Sequence, residues 1–166
     1  MKLFSNINKD VKKLRAPMTI IGFCGGAAAA LIVMAACGKL YFYSFLLLPR
    51  HAPPAAVFYF SFILTTAALC GCAALSHESA RCDRGKSGIV FHLLTALFVV
   101  MWYIAFMRSG AFVFALVMLL CAAVMLFFSM GEAYEHRQPL VLIIDGVCAL
   151  LMIMTLWLTA SAIMLN

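Results

Sequence analysis

The residues best suited to chemistry lie in a proline-rich aromatic stretch, FYSFLLLPRHAPPAAVF, at positions 42–58. Pro49, Pro53 and Pro54 fix the backbone and remove three amide donors, so the stretch cannot continue a helix. Aromatic side chains flank the prolines on both sides, and they could wall a flat apolar ligand or anchor the loop at a membrane interface. The stretch therefore predicts a stiff, irregular loop that contacts a ligand or the lipid.

Two polar side chains stand between these prolines. Arg50 can pair bidentately with a carboxylate, and His51 is its neighbour. Both residues therefore suit either the acidic groups of a ligand or lipid headgroups.

Asp145 is the one acid within a long apolar run. A charge at membrane depth costs several kcal/mol unless it is paired, protonated or hydrated, so such a residue is a functional candidate. Asp145 also lies close enough to the start of its run to reach water or Arg137.

Among the cysteines, Cys70 and Cys72 are about 200° apart on a helix and cannot jointly bind a metal. Buried cysteine usually acts as a small apolar residue, and we expect no metal site.

The elements that must position these residues are long apolar helices. The 166-residue chain is 66% apolar and 11% charged, whereas soluble domains are roughly 25% charged. A spanning helix needs about 20 apolar residues, and five runs qualify: 18–37, 54–75, 88–107, 111–130 and 140–165. We predict an all-α membrane protein, with residues 1–166 forming a single five-helix domain.

The charge pattern predicts how these helices are oriented. Of the 12 Lys and Arg residues, nine precede the first run or lie in the second and fourth connections. By the positive-inside rule, the amino terminus is cytoplasmic and the carboxyl terminus is outside a multi-pass cell membrane protein. Topology thus explains the net charge of +6 better than nucleic-acid binding does.

The first run has two further features. Gly22 and Gly26 have the spacing that lets helices approach closely, within the bundle or against a second protomer. Met34–Cys37 also resembles a lipoprotein cleavage box, which offers lipidation of Cys37 as an alternative to an uncleaved helix.

The loop resembles that of the translocator protein and tryptophan-rich sensory protein family, TspO/MBR. An aromatic-Tyr-x-x-Leu-x-x-Pro-x-x-x-Pro-Pro-x-x-Val-Phe pattern matches without a gap at Phe42, Tyr43, Leu46, Pro49, Pro53, Pro54, Val57 and Phe58. Five spans, short later loops and a terminal Leu165-Asn166 are also similar. The chain differs in having only Trp102 and Trp157, with Phe42, Ala56 and Phe62 where tryptophan is common.

The resemblance implies a five-helix bundle, commonly dimeric, whose pocket beneath the loop accepts porphyrin, haem or, in eukaryotic members, sterols. It implies sensing, regulation or transport, with no cofactor required. With Asp145 included, the predicted ligand-binding residues are Phe42, Tyr43, Leu46, Pro49, Arg50, His51, Pro53, Pro54, Phe58, Phe62, Thr95, Phe98, Trp102, Tyr103, Asp145 and Trp157.

Three other functions remain open. An enzyme that degrades porphyrin oxidatively would need a catalytic constellation, and the sequence offers none. A haem-bearing membrane subunit of a larger complex could use His77 and His92, which lie near the same membrane face. A purely structural small subunit would bind no ligand.

Overall fold

A computed structural model of the chain describes residues 17–37, 43, 46–79 and 86–166. Phe42 and the basic residues before the first helix lie outside these ranges. Within them, five helices are long and apolar enough to cross a membrane, which confirms the predicted all-α class. In chain order they are α1 (Pro17–Cys37), α2 (Ala55–Ser79), α3 (Lys86–Ile104), α4 (Phe112–Glu135) and α5 (Pro139–Leu165).

Proline and glycine set several helix ends. Pro53 and Pro54 precede α2, and Pro139 is the first residue of α5, where its fixed φ suits a helix start. A five-residue π-helical turn, Ala105–Ser109, follows α3, and Gly110 then takes a left-handed conformation with φ 61°. Glycine adopts this conformation without steric cost. The chain can therefore reverse into α4 within a few residues.

Four of the helices pack in a ring, in which α2 contacts α3 and α5, and α4 contacts α3 and α5. The remaining helix, α1, packs mainly along α2. A Cβ added at Gly26 would lie 2.8 Å from the Thr66 carbonyl oxygen, and one at Gly22 would lie 2.9 Å from the Cys70 carbonyl oxygen. The glycines therefore serve packing within the bundle, one of the two roles that the sequence left open.

The chain direction alternates from helix to helix and so gives the bundle two distinct ends. The loop before α2, the turn after α3 and the carboxyl terminus meet at one end, here called the loop end. The end of α2, the starts of α3 and α5 and the end of α4 meet at the other, here called the polar end. Aromatic residues fill the core near the loop end, whereas the buried ionisable side chains of His92 and Asp145 lie near the polar end.

Candidate functional site

The proline loop is built around a tight turn. The Ala52 amide donates to the Pro49 carbonyl oxygen at 2.8 Å, which leaves Arg50 and His51 at the corners of the turn. Both side chains are exposed. They are thus positioned to contact acidic groups from outside the bundle.

Two sets of hydrogen bonds, here called the loop tethers, hold the described part of the loop against the bundle. The Tyr43 hydroxyl donates to the Pro53 carbonyl oxygen at 2.7 Å. The Asn166 side chain accepts from the Leu47 amide at 3.2 Å and donates to the Leu47 carbonyl oxygen at 3.0 Å. Burial, followed by the neighbouring Tyr59, raises the pKa of Tyr43 to about 12. Tyr43 therefore stays a neutral hydrogen-bond donor at physiological pH.

Beneath the loop lies a set of packed rings, here called the aromatic cluster: Tyr43, Phe58, Phe62, Trp102, Tyr103 and Phe106. The Tyr43 ring stacks on Phe58 with centroids 4.6 Å apart, and Phe62 stacks on Tyr103 at 4.1 Å. Each of the six side chains is at most 4% exposed. Offset-stacked rings gain about 0.5–1.5 kcal/mol beyond their buried area. The cluster is therefore closed and tightly packed in this structure.

The Trp102 indole N–H, at the base of the aromatic cluster, is hydrogen-bonded to α5. The Trp102 indole donates to the Thr159 hydroxyl at 3.0 Å, and that hydroxyl donates to the Thr155 carbonyl oxygen at 2.8 Å. A cavity of about 10 Å³ lies beside Trp102, between Thr65 and Thr155. That volume suits roughly one water molecule, so a large ligand needs the cluster to rearrange.

The structure brings together only some of the residues predicted to bind ligand. Tyr43, Pro53, Phe58, Phe62, Trp102 and Tyr103 meet beneath the loop. Leu46 and Pro49 are half-buried in the loop, Pro54 is exposed, and Phe98 packs partly buried against the core. Thr95 is buried, and its hydroxyl donates to the Phe91 carbonyl oxygen.

Asp145 and Trp157 do not join this group. Trp157 is 43% exposed on an apolar outer surface. Asp145 lies 21 residues before Asn166 in the sequence, which is roughly 30 Å along a helix. The expectation that Asp145 shares one site with the loop is therefore corrected, because it lies near the polar end of the bundle.

Asp145 instead belongs to a buried polar cluster that the sequence did not reveal. His92 Nε2 lies 3.1 and 3.2 Å from the two carboxylate oxygens of Asp145. The Ser129 hydroxyl lies 3.2 Å from the same carboxylate. The Cys72 sulfur lies within 4.8 Å of the His92 and Asp145 ligand atoms. Cys72, His92, Ser129 and Asp145, here called the polar cluster, come from α2, α3, α4 and α5 and are at most 1% exposed.

This geometry corrects one expectation. Asp145 is fully buried and paired with His92, rather than reaching water or Arg137 at the membrane surface. His92 is likewise buried, at 1% exposed. The sequence contains part of this signal, because His92 and Asp145 lie four and five positions after the starts of their predicted runs. In the structure, each cluster residue lies six or seven positions from the polar end of its helix, or about 10 Å deep.

The same geometry does not favour haem ligation by His77 and His92. His92 is 1% exposed, and the cavity beside it is about 10 Å³, which suits roughly one water molecule and not a haem. His77 is exposed near the end of α2.

Comparisons with family models, with curated proteins and with solved structures find no match to this chain. The resemblance to the TspO/MBR family therefore remains a prediction that rests on the loop motif and the pattern of spans.

Proposed function

We propose that this multi-pass membrane protein binds flat, largely apolar molecules, such as a porphyrin or haem, beneath the proline loop. In this proposal the bound molecule serves sensing, regulation or transport, as the resemblance to the TspO/MBR family implies. The observation that carries the proposal is the Tyr43 ring stacked on Phe58 at 4.6 Å. A planar ligand would take the place of the Tyr43 ring on the face of Phe58.

Ligand access requires the loop to lift, because the aromatic cluster is closed. The tethers that resist lifting are the Tyr43–Pro53 bond and the Leu47–Asn166 pair. Each such hydrogen bond contributes about 0.5–1.5 kcal/mol net, and the Leu47–Asn166 pair is exposed. An opening cost of a few kcal/mol lowers the apparent affinity without preventing binding.

The open site would offer both apolar and polar contacts. Phe58, Phe62 and Tyr103 would provide flat apolar surfaces for a macrocycle. Arg50 and His51 stand exposed at the turn above them, where Arg50 suits a propionate carboxylate. A porphyrin with propionate carboxylates would use both kinds of contact, whereas an uncharged lipid would use only the apolar surfaces.

The test is a titration of the detergent-purified chain with protoporphyrin IX, followed by the shift of the porphyrin absorption band. Phe58→Leu keeps much of the volume but removes the flat ring, and it should weaken binding about tenfold, or roughly 1.4 kcal/mol. Phe60→Leu is the matched control, because Phe60 lies two residues away and is 64% exposed. It should bind like the unmodified chain.

Equal binding by the two variants, or by detergent alone, would contradict the proposal. A second location for the ligand is a groove of about 240 Å³ between α4 and α5, lined by apolar residues that include Phe127 and Leu156. Binding in that groove would be weakened by Phe127→Ala and left unchanged by Phe58→Leu.

A further inference from the structure

The polar cluster contains three types of metal ligand on three different helices. Cys72, His92 and Asp145 are each at most 1% exposed, and their ligand atoms lie within 4.8 Å of one another. A buried ionisable group is retained only where it is paired, hydrogen-bonded or bound to a metal. This cluster lies at the opposite end of the bundle from the proposed ligand site, so its role is a separate question.

The hydrogen bonds of His92 point to a cation between its ring and Asp145. Its Nδ1 lies 2.7 Å from the Gly88 carbonyl oxygen and must carry a proton, because a carbonyl can only accept. Its Nε2 faces both carboxylate oxygens of Asp145 at nearly equal distances, 3.1 and 3.2 Å. An Nε2 lone pair facing a carboxylate would be repelled. The contact therefore requires a proton or a metal ion.

We propose that Cys72, His92 and Asp145 form a binding site for Zn²⁺ or a divalent transition ion with similar ligand preferences. Mixed sulfur, nitrogen and oxygen donors suit Zn²⁺ rather than Mg²⁺ or Ca²⁺. With a thiolate, a neutral imidazole and a carboxylate, the charges of the ion and its ligands sum to zero. On binding, the ion displaces the thiol proton of Cys72 and the proton shared by His92 and Asp145, and both leave to solvent.

Neighbouring groups support the ligands in the way that metal sites require. A metal-bound histidine usually donates its other ring N–H to a carbonyl or carboxylate, and His92 does so to Gly88. The Ser129 hydroxyl lies 3.2 Å from Asp145 Oδ2 and can orient that carboxylate when its single proton turns away from the Leu126 carbonyl oxygen at 2.9 Å. His92 and Asp145 are therefore held in the orientation that binding needs.

The distances nearly match those of a tetrahedral zinc site. Metal–ligand bonds of about 2.0–2.3 Å place neighbouring ligand atoms about 3.3–3.6 Å apart. His92 Nε2 lies 3.1 and 3.2 Å from the two Asp145 oxygens, slightly closer than that, so the two side chains have to move apart a little. The Cys72 sulfur has to approach by about 1 Å from the outer limit of 4.8 Å, which a small side-chain movement achieves.

A water-sized space leads from the cluster towards the polar end. This cavity of about 10 Å³ is lined by His92 and Ser129 inside and by Glu132 and His136 further out. Glu132 and His136 are paired at 3.2 Å and are 27% and 29% exposed. The cavity has room for roughly one water molecule beside His92, and its outer residues place polar groups between the cluster and the polar end.

The first test uses Co²⁺ as a spectroscopic probe for Zn²⁺. The full-length chain, without any purification tag, is purified in detergent under reducing conditions, freed of metal with a chelator and titrated with Co²⁺. We expect one equivalent to bind with a thiolate-to-cobalt charge-transfer band, and Zn²⁺ to abolish the band. Absence of saturable binding in the unmodified chain would overturn the proposal.

Cysteine variants identify the ligand. Cys72→Ser should remove the charge-transfer band and weaken Zn²⁺ binding by roughly 100-fold or more, since loss of outer-shell partners alone costs 10–100-fold. Cys148→Ser and Cys24→Ser are controls, one buried and one exposed, and both should keep the band. A band that survives Cys72→Ser, or disappears in either control, would overturn the assignment.

Asp145→Asn provides a second variant that keeps the size of the side chain. It should keep the thiolate band only at much higher Co²⁺ concentrations, while circular dichroism and gel filtration check that the helices and the particle size are unchanged. Binding of Co²⁺ by folded Asp145→Asn with unaltered affinity would overturn the role of the carboxylate.

Discussion

At the scale of single residues, Tyr43 has two roles that oppose each other. Its ring covers the face of Phe58, and its hydroxyl ties the loop to the Pro53 carbonyl oxygen. Sequence reasoning predicted Tyr43 and Phe58 as site residues, because the loop motif places them there. It could not predict that Tyr43 itself fills the space, since ring stacking depends on how the loop folds back over α2.

Tyr43→Phe separates the two roles of this side chain. The variant keeps the ring but loses one hydrogen bond of about 1 kcal/mol, so the loop opens more readily. We expect the apparent affinity for protoporphyrin IX to rise about fivefold, measured by absorption titration. Tyr134→Phe, at an exposed position near the polar end, should bind unchanged. A lower affinity in Tyr43→Phe would show that the hydroxyl contacts the ligand.

His92 and Asp145 show where residue-level prediction stops. Each residue stands out in the sequence, and their equal depth from the polar end could have linked them. Their pairing at 3.1 Å also depends on the rotation of α3 and α5 about their own axes. Because apolar residues occur on every face of each spanning helix, the sequence pattern does not define how the helix is rotated about its axis.

At the scale of helices, composition and glycine spacing carry most of the prediction. The five apolar runs correspond to five long helices, since the length needed to span a bilayer is fixed by the helical rise. Gly22 and Gly26 were expected to mark a close contact, and the contact is with Thr66 and Cys70 of α2. The partner helix could not be predicted, because small residues indicate a close approach without naming the neighbour.

A single methyl group tests this contact. Gly26→Ala places a Cβ 2.8 Å from the Thr66 carbonyl oxygen, which cannot move without disturbing α2. We expect a loss of about 1–3 kcal/mol in unfolding free energy, seen as a lower midpoint in thermal unfolding in detergent. At Gly25 an added Cβ meets nothing within 4 Å, so Gly25→Ala is the matched control. Equal midpoints in the two variants would argue against close packing of α1 on α2.

At the scale of the whole molecule, the two ends of the bundle carry different chemistry. The loop end has aromatic rings beneath an exposed turn. Near the polar end, the buried His92 is paired with Asp145 and shares a small cavity with Glu132 and His136. The count of Lys and Arg residues predicts that the polar end faces the cytoplasm. The loop end would then face outwards.

Labelling with a membrane-impermeant maleimide checks this orientation. His51 and Glu135 are exposed near opposite ends, so each is replaced by cysteine in turn and compared with the unmodified chain. We expect His51→Cys to gain label in intact cells and Glu135→Cys to gain it only after permeabilisation. The reverse pattern would place the loop in the cytoplasm.

In the proposed function, a planar ligand binds beneath the proline loop, and the loop must lift to admit it. Hydrogen bonds of 3.2 and 3.0 Å join the Leu47 backbone to the Asn166 side chain, so cysteines at both positions lie near each other. A disulfide between them, its formation checked by thiol titration, would hold the loop closed. We expect the oxidised double variant to bind protoporphyrin IX at least tenfold more weakly than its reduced form. The single variants should bind equally under both conditions. Equal binding by the locked and reduced double variant would contradict the claim.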